Sequence, residues 1–99
     1  MRRPMSLESI EAVIVAEKAA SLGIAGRRLE RALKLLREAD DATREVRLDE
    51  AAELTWNFLT QREVIGLRDR EQVVADLGIP PEVMARVGAF RRKPVAPSA

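Results

Sequence analysis

Apolar and small residues recur along the first third of the chain at alternating steps of four and three. They form a line that we call the first stripe: Val15, Ala19, Leu22, Gly26, Leu29, Leu33 and Leu36. This spacing draws one continuous line along an α-helix and has no counterpart on a β-strand. The sequence therefore predicts one long helix over residues 6–39, around which the rest of the chain must be arranged.

The first half of this helix carries a second apolar face, roughly opposite the first stripe. This second apolar face consists of Ile10, Val13, Ile14 and Ile24. A helix that is apolar on two sides is usually buried on two sides. We therefore expect the first half of the helix to be sandwiched, and the more charged half after Arg27 to lie at the surface.

Two glycines, Gly23 and Gly26, lie among small residues in the middle of this helix. They favour either close packing of the helix against another backbone or a hinge. Each glycine costs a helix about 1 kcal/mol relative to alanine, so a break over residues 21–26 is the alternative. The unbroken spacing of the first stripe across both positions favours a continuous, closely packed helix.

Local signals divide the rest of the chain into three shorter helices. Ser6 is a suitable N-cap for the long helix, and residues 40–48 are predicted to connect it to a second helix. Asp49 is the expected cap of that second helix, which should reach Leu67. A short loop between two long helices predicts an antiparallel hairpin.

The third and fourth helices are predicted from caps and stops. Asp69 with Gln72 resembles a capping box, and Gly78 is a natural stop. The last helix should cover residues 81–87 and end at Gly88, because glycine is typical just after a helix. The expected fold is all-α: a single helical domain over residues 1–88, with two short C-terminal helices, followed by a basic, proline-containing, disordered tail over residues 89–99.

Composition excludes several classes of function. The chain has no cysteine and no histidine, which excludes disulfides, Cys/His metal sites and Ser-His or Cys-His nucleophiles. We expect no catalytic residue, no metal and no cofactor, and therefore no enzyme. A net charge of +1 disfavours binding to nucleic acid or anionic membrane. The sequence has no uninterrupted apolar run of the length that a signal peptide or a membrane span requires, so a cytoplasmic protein is expected.

Two charged residues interrupt the apolar faces of the hairpin. Glu17 falls between Ile14 and Ile24 on the first helix, and Arg62 falls in the apolar face of the second. A charge in an apolar stripe must be paired or must reach water. The sequence predicts that Glu17 and Arg62 form a structural ion pair across the hairpin; the alternative is a ligand or anion site.

Residues 73–87 resemble a helix-turn-helix, with Gly78 at the turn. This resemblance raises a second hypothesis, a DNA-binding regulator that uses residues 71–87. The positions that usually offer polar groups to DNA are here Pro80, Pro81 and Glu82. Such residues make a poor surface for phosphate, so a purely structural corner is the competing interpretation.

Short motifs across nearly the whole chain resemble a family of small uncharacterised bacterial proteins, a domain of unknown function. The motifs are Glu17-Lys18, Trp56, Gln61-Arg62-Glu63, Gly66-Leu67-Arg68-Asp69, Gly78-Ile79-Pro80, Val83 and Ala85-Arg86-Val87-Gly88. The resemblance implies a small helical protein and supplies no activity.

Self-association is the expected property of this chain. The hairpin partner can cover only one apolar face of the first helix, which leaves the second apolar face for another molecule. We expect a homodimer through residues 7–26 that builds a four-helix bundle, with Ile10, Val13, Ile14 and Ile24 in the interface. An unidentified protein partner is also possible. The predicted function is a non-enzymatic interaction or assembly module.

Overall fold

The computed structural model describes the backbone of residues 6–92 and the side chains of residues 6–89. Within this part of the chain there are four helices and no strand: α1 (Leu7–Arg37), α2 (Arg44–Val64), α3 (Arg70–Leu77) and α4 (Pro81–Arg92). The all-α prediction, with a long hairpin followed by two shorter helices, is confirmed. The terminal segments 1–5 and 93–99 lie outside the described residues.

Helix α1 is continuous over 31 residues, a length of about 46 Å at 1.5 Å per residue. The Ser6 hydroxyl accepts a hydrogen bond from the Ser9 amide at 3.1 Å, which confirms Ser6 as the N-cap. The helix runs through Gly23 and Gly26 without a break. A hinge at these glycines is therefore not part of this structure.

The connection between α1 and α2 is shorter than the sequence suggested. The Asp40 carboxylate accepts hydrogen bonds from the Thr43 amide at 2.9 Å and from the Thr43 hydroxyl at 2.8 Å. The Thr43 hydroxyl is the main cause of a lowered pKa for the Asp40 carboxyl. Since this turn closes early, α2 begins at Arg44, and the prediction that Asp49 caps α2 is wrong.

Helix α2 ends at Val64 instead of near Leu67. The Gly66 amide donates to the Glu63 carbonyl at 3.0 Å, and the Leu67 amide donates to the Arg62 carbonyl at 2.9 Å. This pair of bonds is a Schellman motif, which needs a left-handed residue at Gly66. Gly66 has φ 89°, so glycine at this position sets where α2 stops.

The core lies between α1 and α2 at the end of the hairpin nearer their connection. The later part of the first stripe is buried there with residues of α2: Leu29, Leu33, Leu36, Leu48, Ala51, Ala52, Phe58 and Leu59. Gly26 faces the Phe58 ring, because a Cβ built on Gly26 would lie 3.2 Å from Phe58 Cε1. The expected close approach of Gly26 to another backbone is thus an approach to an aromatic side chain.

Helix α3 begins at Arg70 without the predicted capping box. The Asp69 side chain makes no capping hydrogen bond, and Gln72 donates instead to Asp76 at 2.8 Å. The predicted stop at Gly78 is confirmed, since Gly78 has φ 63° and ends α3.

Helix α4 packs on α2 and is longer than predicted. Val83 and Val87 are fully buried. Glu82 pairs with Arg44, and Arg86 pairs with Glu45 and Asp49 of α2. Gly88 lacks the positive φ of a helix stop, so α4 continues to Arg92. The predicted end of the last helix at Gly88 is therefore wrong. The domain over residues 1–88 and the tail over residues 89–99 stay predictions, and residues 93–99 lie outside the described residues.

Candidate protein interaction surface

The first part of α1 projects beyond the hairpin. Ser21 of α1 and Gln61 of α2 are joined by a 3.3 Å hydrogen bond near the end of α2. Lys18 lines a hollow with Val64 and Ile65 at that end. All residues from position 7 to position 20 are exposed. The prediction that the first half of α1 is sandwiched is wrong within a single chain, because α2 ends before it can cover that half.

Large aliphatic side chains occur along this projecting part and just after it. Their exposed fractions are 71% for Leu7, 40% for Ile10, 42% for Val13, 44% for Ile14, 65% for Val15 and 45% for Ile24. The second apolar face predicted from the sequence is therefore open to solvent. Val15, the first member of the first stripe, is exposed as well. Exposed aliphatic side chains in this number are typical of interaction sites.

The exposed fractions determine roughly how much free energy is gained when these six side chains are buried in an interface. Summed over the six side chains, they amount to about three fully exposed residues per chain. Burying an aliphatic side chain stabilises by about 1.5–3 kcal/mol, which gives about 5–9 kcal/mol for one chain. An interface that covers this surface on two chains would gain about twice that. Such a gain is comparable to the association cost of about 4–15 kcal/mol.

Apolar side chains at the end of α2 are exposed as well, which the sequence did not predict. Val64, Ile65 and Leu67 are 70%, 36% and 40% exposed around the Gly66 turn. Apolar residues on both sides of a glycine helix stop were the available signal. Val64 is the last residue of α2, and Ile65 and Leu67 directly follow the end of the helix.

A shallow hollow marks the middle of α1. It lies between Glu17, Ile24 and Arg28, with Gln61 of α2 at its edge. The carboxylate and the guanidinium thus lie on either side of an aliphatic side chain. This surface offers both apolar contact and two charges of opposite sign.

The predicted ion pair between Glu17 and Arg62 is wrong. Arg62 instead donates a hydrogen bond to Asp69, and its guanidinium lies 5.8 Å from the centre of the Phe58 ring. The Arg62 hydrogen bond is the main cause of the lowered pKa of the Asp69 carboxyl. Glu17 is exposed on the projecting half of α1. The turn at the end of α2 brings Asp69 back to Arg62, which removes the need for a partner on α1.

Residues 1–95 match the model of a family of unknown function, DUF6665. The chain belongs to this family. The predicted membership of a domain of unknown function is confirmed, while the bacterial origin stays a prediction. No curated protein and no solved structure matches the chain.

In this DUF6665 chain the helix-turn-helix-like segment forms two helices joined at Gly78. Helix α4 turns Val83 and Val87 into the core, and its Glu82 and Arg86 are engaged in ion pairs with α2. These contacts use α4 side chains that a recognition helix would offer to DNA. Packing of α4 on α2 gives the segment a structural role, and DNA binding by residues 71–87 stays an untested alternative.

Two further observations concern the described part of the DUF6665 chain. No group of three or more acidic side chains is placed there to hold a metal ion. None of the helices within residues 6–92 is both long enough and apolar enough to span a membrane.

Proposed function

We propose that this DUF6665 protein is a non-enzymatic interaction or assembly module that forms a homodimer through residues 7–26. The observation that carries the proposal is the projecting half of α1, on which aliphatic side chains remain exposed in the single chain. A cytoplasmic location, expected from the sequence, belongs to the same proposal.

The helices of the same chain do not cover this surface, whereas a second copy of the chain could cover it. Helix α4 packs along α2, where its Arg86 reaches Glu45 and Asp49 near the connection to α1. Residues 7–20 are all exposed, so neither α3 nor α4 covers the projecting part of α1. Two hairpins related by a two-fold axis would cover each other's projecting helices and build a four-helix core.

Sedimentation equilibrium tests the proposal directly. The wild-type chain is expected to approach twice its 11.0 kDa mass at micromolar concentration. Ile14→Glu should shift the protein toward the monomer, because it places a charge in the apolar interface. Val46→Glu is the matched control, since Val46 is 58% exposed near the start of α2, outside the proposed interface.

The two variants separate dimerisation from folding. Both should keep the helical circular dichroism of the wild type, because both side chains are exposed in the single chain. A wild-type mass near 11.0 kDa at every concentration would refute self-association. Equal weakening of the dimer by both variants would show that the interface lies elsewhere.

A further inference from the structure

A second line of residues follows α1 at alternating steps of four and three. We call it the exposed stripe: Ile10, Ile14, Glu17, Ser21, Ile24, Arg28, Arg31 and Leu35. At about 100° per residue it lies roughly a third of a turn from the buried part of the first stripe. All of its members are exposed except Leu35, which is half-buried. A heptad line of this kind is the pattern by which two helices pair along their length.

The exposed stripe is complementary to its own reverse. If two copies of α1 run antiparallel so that facing residue numbers add to 45, every member of the stripe meets another member. Ile10 then faces Leu35, Ile14 faces the stem of Arg31, Glu17 faces Arg28, and Ser21 faces Ile24. The apolar pair lies at each end, and opposite charges lie between the ends and the centre.

We propose that two copies of the chain pair antiparallel along the exposed stripe, about a two-fold axis between Leu22 and Gly23. The inference rests on the proposed homodimer and specifies its orientation and register. In this register the interface of residues 7–26 extends along α1 to Leu35. Each dimer contains two ion pairs between Glu17 of one copy and Arg28 of the other. The hollow between Glu17, Ile24 and Arg28 lies at the centre of the contact and is filled by the second helix.

Charge decides between this arrangement and the other ways to pair the same stripe. A parallel pair would place Glu17 against Glu17 and Arg28 against Arg28, and like charges that face each other destabilise the pair. An antiparallel pair shifted by one heptad would place Glu17 opposite Ser21 or Leu35. Only the proposed register gives each Glu17 an opposite charge and also uses the full length of the stripe.

Charge exchange tests the orientation. Glu17→Arg alone or Arg28→Glu alone turns two attractive contacts of the dimer into repulsive ones, which should raise the dimer Kd on the order of tenfold. The double variant with both changes restores opposite charges and should return the Kd to within about twofold of wild type. Glu30→Arg and Arg37→Glu make the same charge changes on the side of α1 that faces away from the stripe and should leave the Kd within about twofold. Additive weakening in the double variant would overturn the proposal.

Cysteine cross-linking gives an independent readout, because the chain has no cysteine of its own. Ile10→Cys and Leu35→Cys variants, mixed and oxidised, should form a disulfide between the two variants. Ile10→Cys alone should not cross-link, since the two Ile10 positions lie about 37 Å apart in the antiparallel pair, far beyond disulfide reach.

The outcomes test separately whether the homodimer forms and whether its two α1 helices run antiparallel. A wild-type chain that stays monomeric refutes both the homodimer and its orientation. A wild-type dimer in which Ile10→Cys cross-links efficiently to itself refutes the antiparallel orientation alone. Retained helical circular dichroism in each variant shows that a lost dimer is not lost folding.

Discussion

Gly26 offers the sharpest test of how α1 packs on α2. A Cβ at this position would lie 3.2 Å from Phe58 Cε1, closer than ordinary contact. The Phe58 ring is only 8% exposed, so it can shift slightly but cannot move into solvent. The effect of a substitution at Gly26 therefore depends on a gain in helix propensity set against crowding of the ring.

The two terms give different results for alanine and leucine. Gly26→Ala gains about 1 kcal/mol of helix propensity and loses part of it as the ring shifts, so stability should stay close to wild type. Gly26→Leu adds three more carbons toward the ring, and overpacking of this kind costs about 1–3 kcal/mol. With the ring enclosed, we expect a net loss of about 2 kcal/mol, or a fall in Tm of roughly 8–16 °C.

Gly23 provides the matched control in the same helix. A Cβ there would meet only the mobile end of Arg27, at 3.4 Å. Gly23→Ala should therefore realise nearly the full gain of about 1 kcal/mol. Urea unfolding at one fixed protein concentration, followed by circular dichroism, gives the order of stabilities. If Gly26→Leu is as stable as Gly26→Ala, the contact between Gly26 and Phe58 is wrong.

Further predictions concern the pair Arg62 and Asp69 at the end of α2, the glycines Gly78 and Gly88, and binding to nucleic acid. In double-mutant cycles Arg62→Met should be coupled to Asp69→Ala and additive with Glu17→Ala, because the Arg62 guanidinium is hydrogen-bonded to Asp69 and not to Glu17. The folded-state pKa of Asp69 is lowered, so its contribution to stability is present above the ordinary value of 3.8 and is lost as the pH falls toward the lowered pKa; Asp69→Asn should flatten this loss in acid unfolding. Gly88→Ala should stabilise by up to about 1 kcal/mol, whereas Gly78→Ala should destabilise by about 1–2 kcal/mol, since Gly78 has a positive φ and Gly88 does not; equal effects in thermal unfolding would contradict this difference. Fluorescence anisotropy with a random-sequence duplex at low salt should show no binding at micromolar protein, and salt-sensitive micromolar binding would revive the DNA-binding alternative.

Signals within a few residues of each other predicted much of the fold. Ser6 as N-cap, Gly78 as helix stop and the continuous α1 each depend on local backbone geometry, which neighbouring residues determine. The hairpin followed from the 3.6-residue periodicity of two long segments. The second apolar face was also evident from periodicity, and the structure places its four residues at the surface.

The remaining features depended on the path of the chain beyond single helices. Glycine is a typical residue at a helix stop, but α4 continues through Gly88 to Arg92. The preceding residue, Val87, is buried. Arg62 has two plausible acidic partners, and the turn at Gly66 brings Asp69 to it instead of Glu17. Periodicity showed that α1 has apolar residues on two sides, but it could not show how far α2 extends along them. The tertiary structure alone decided which apolar residues are covered, because burial depends on where the neighbouring helix ends.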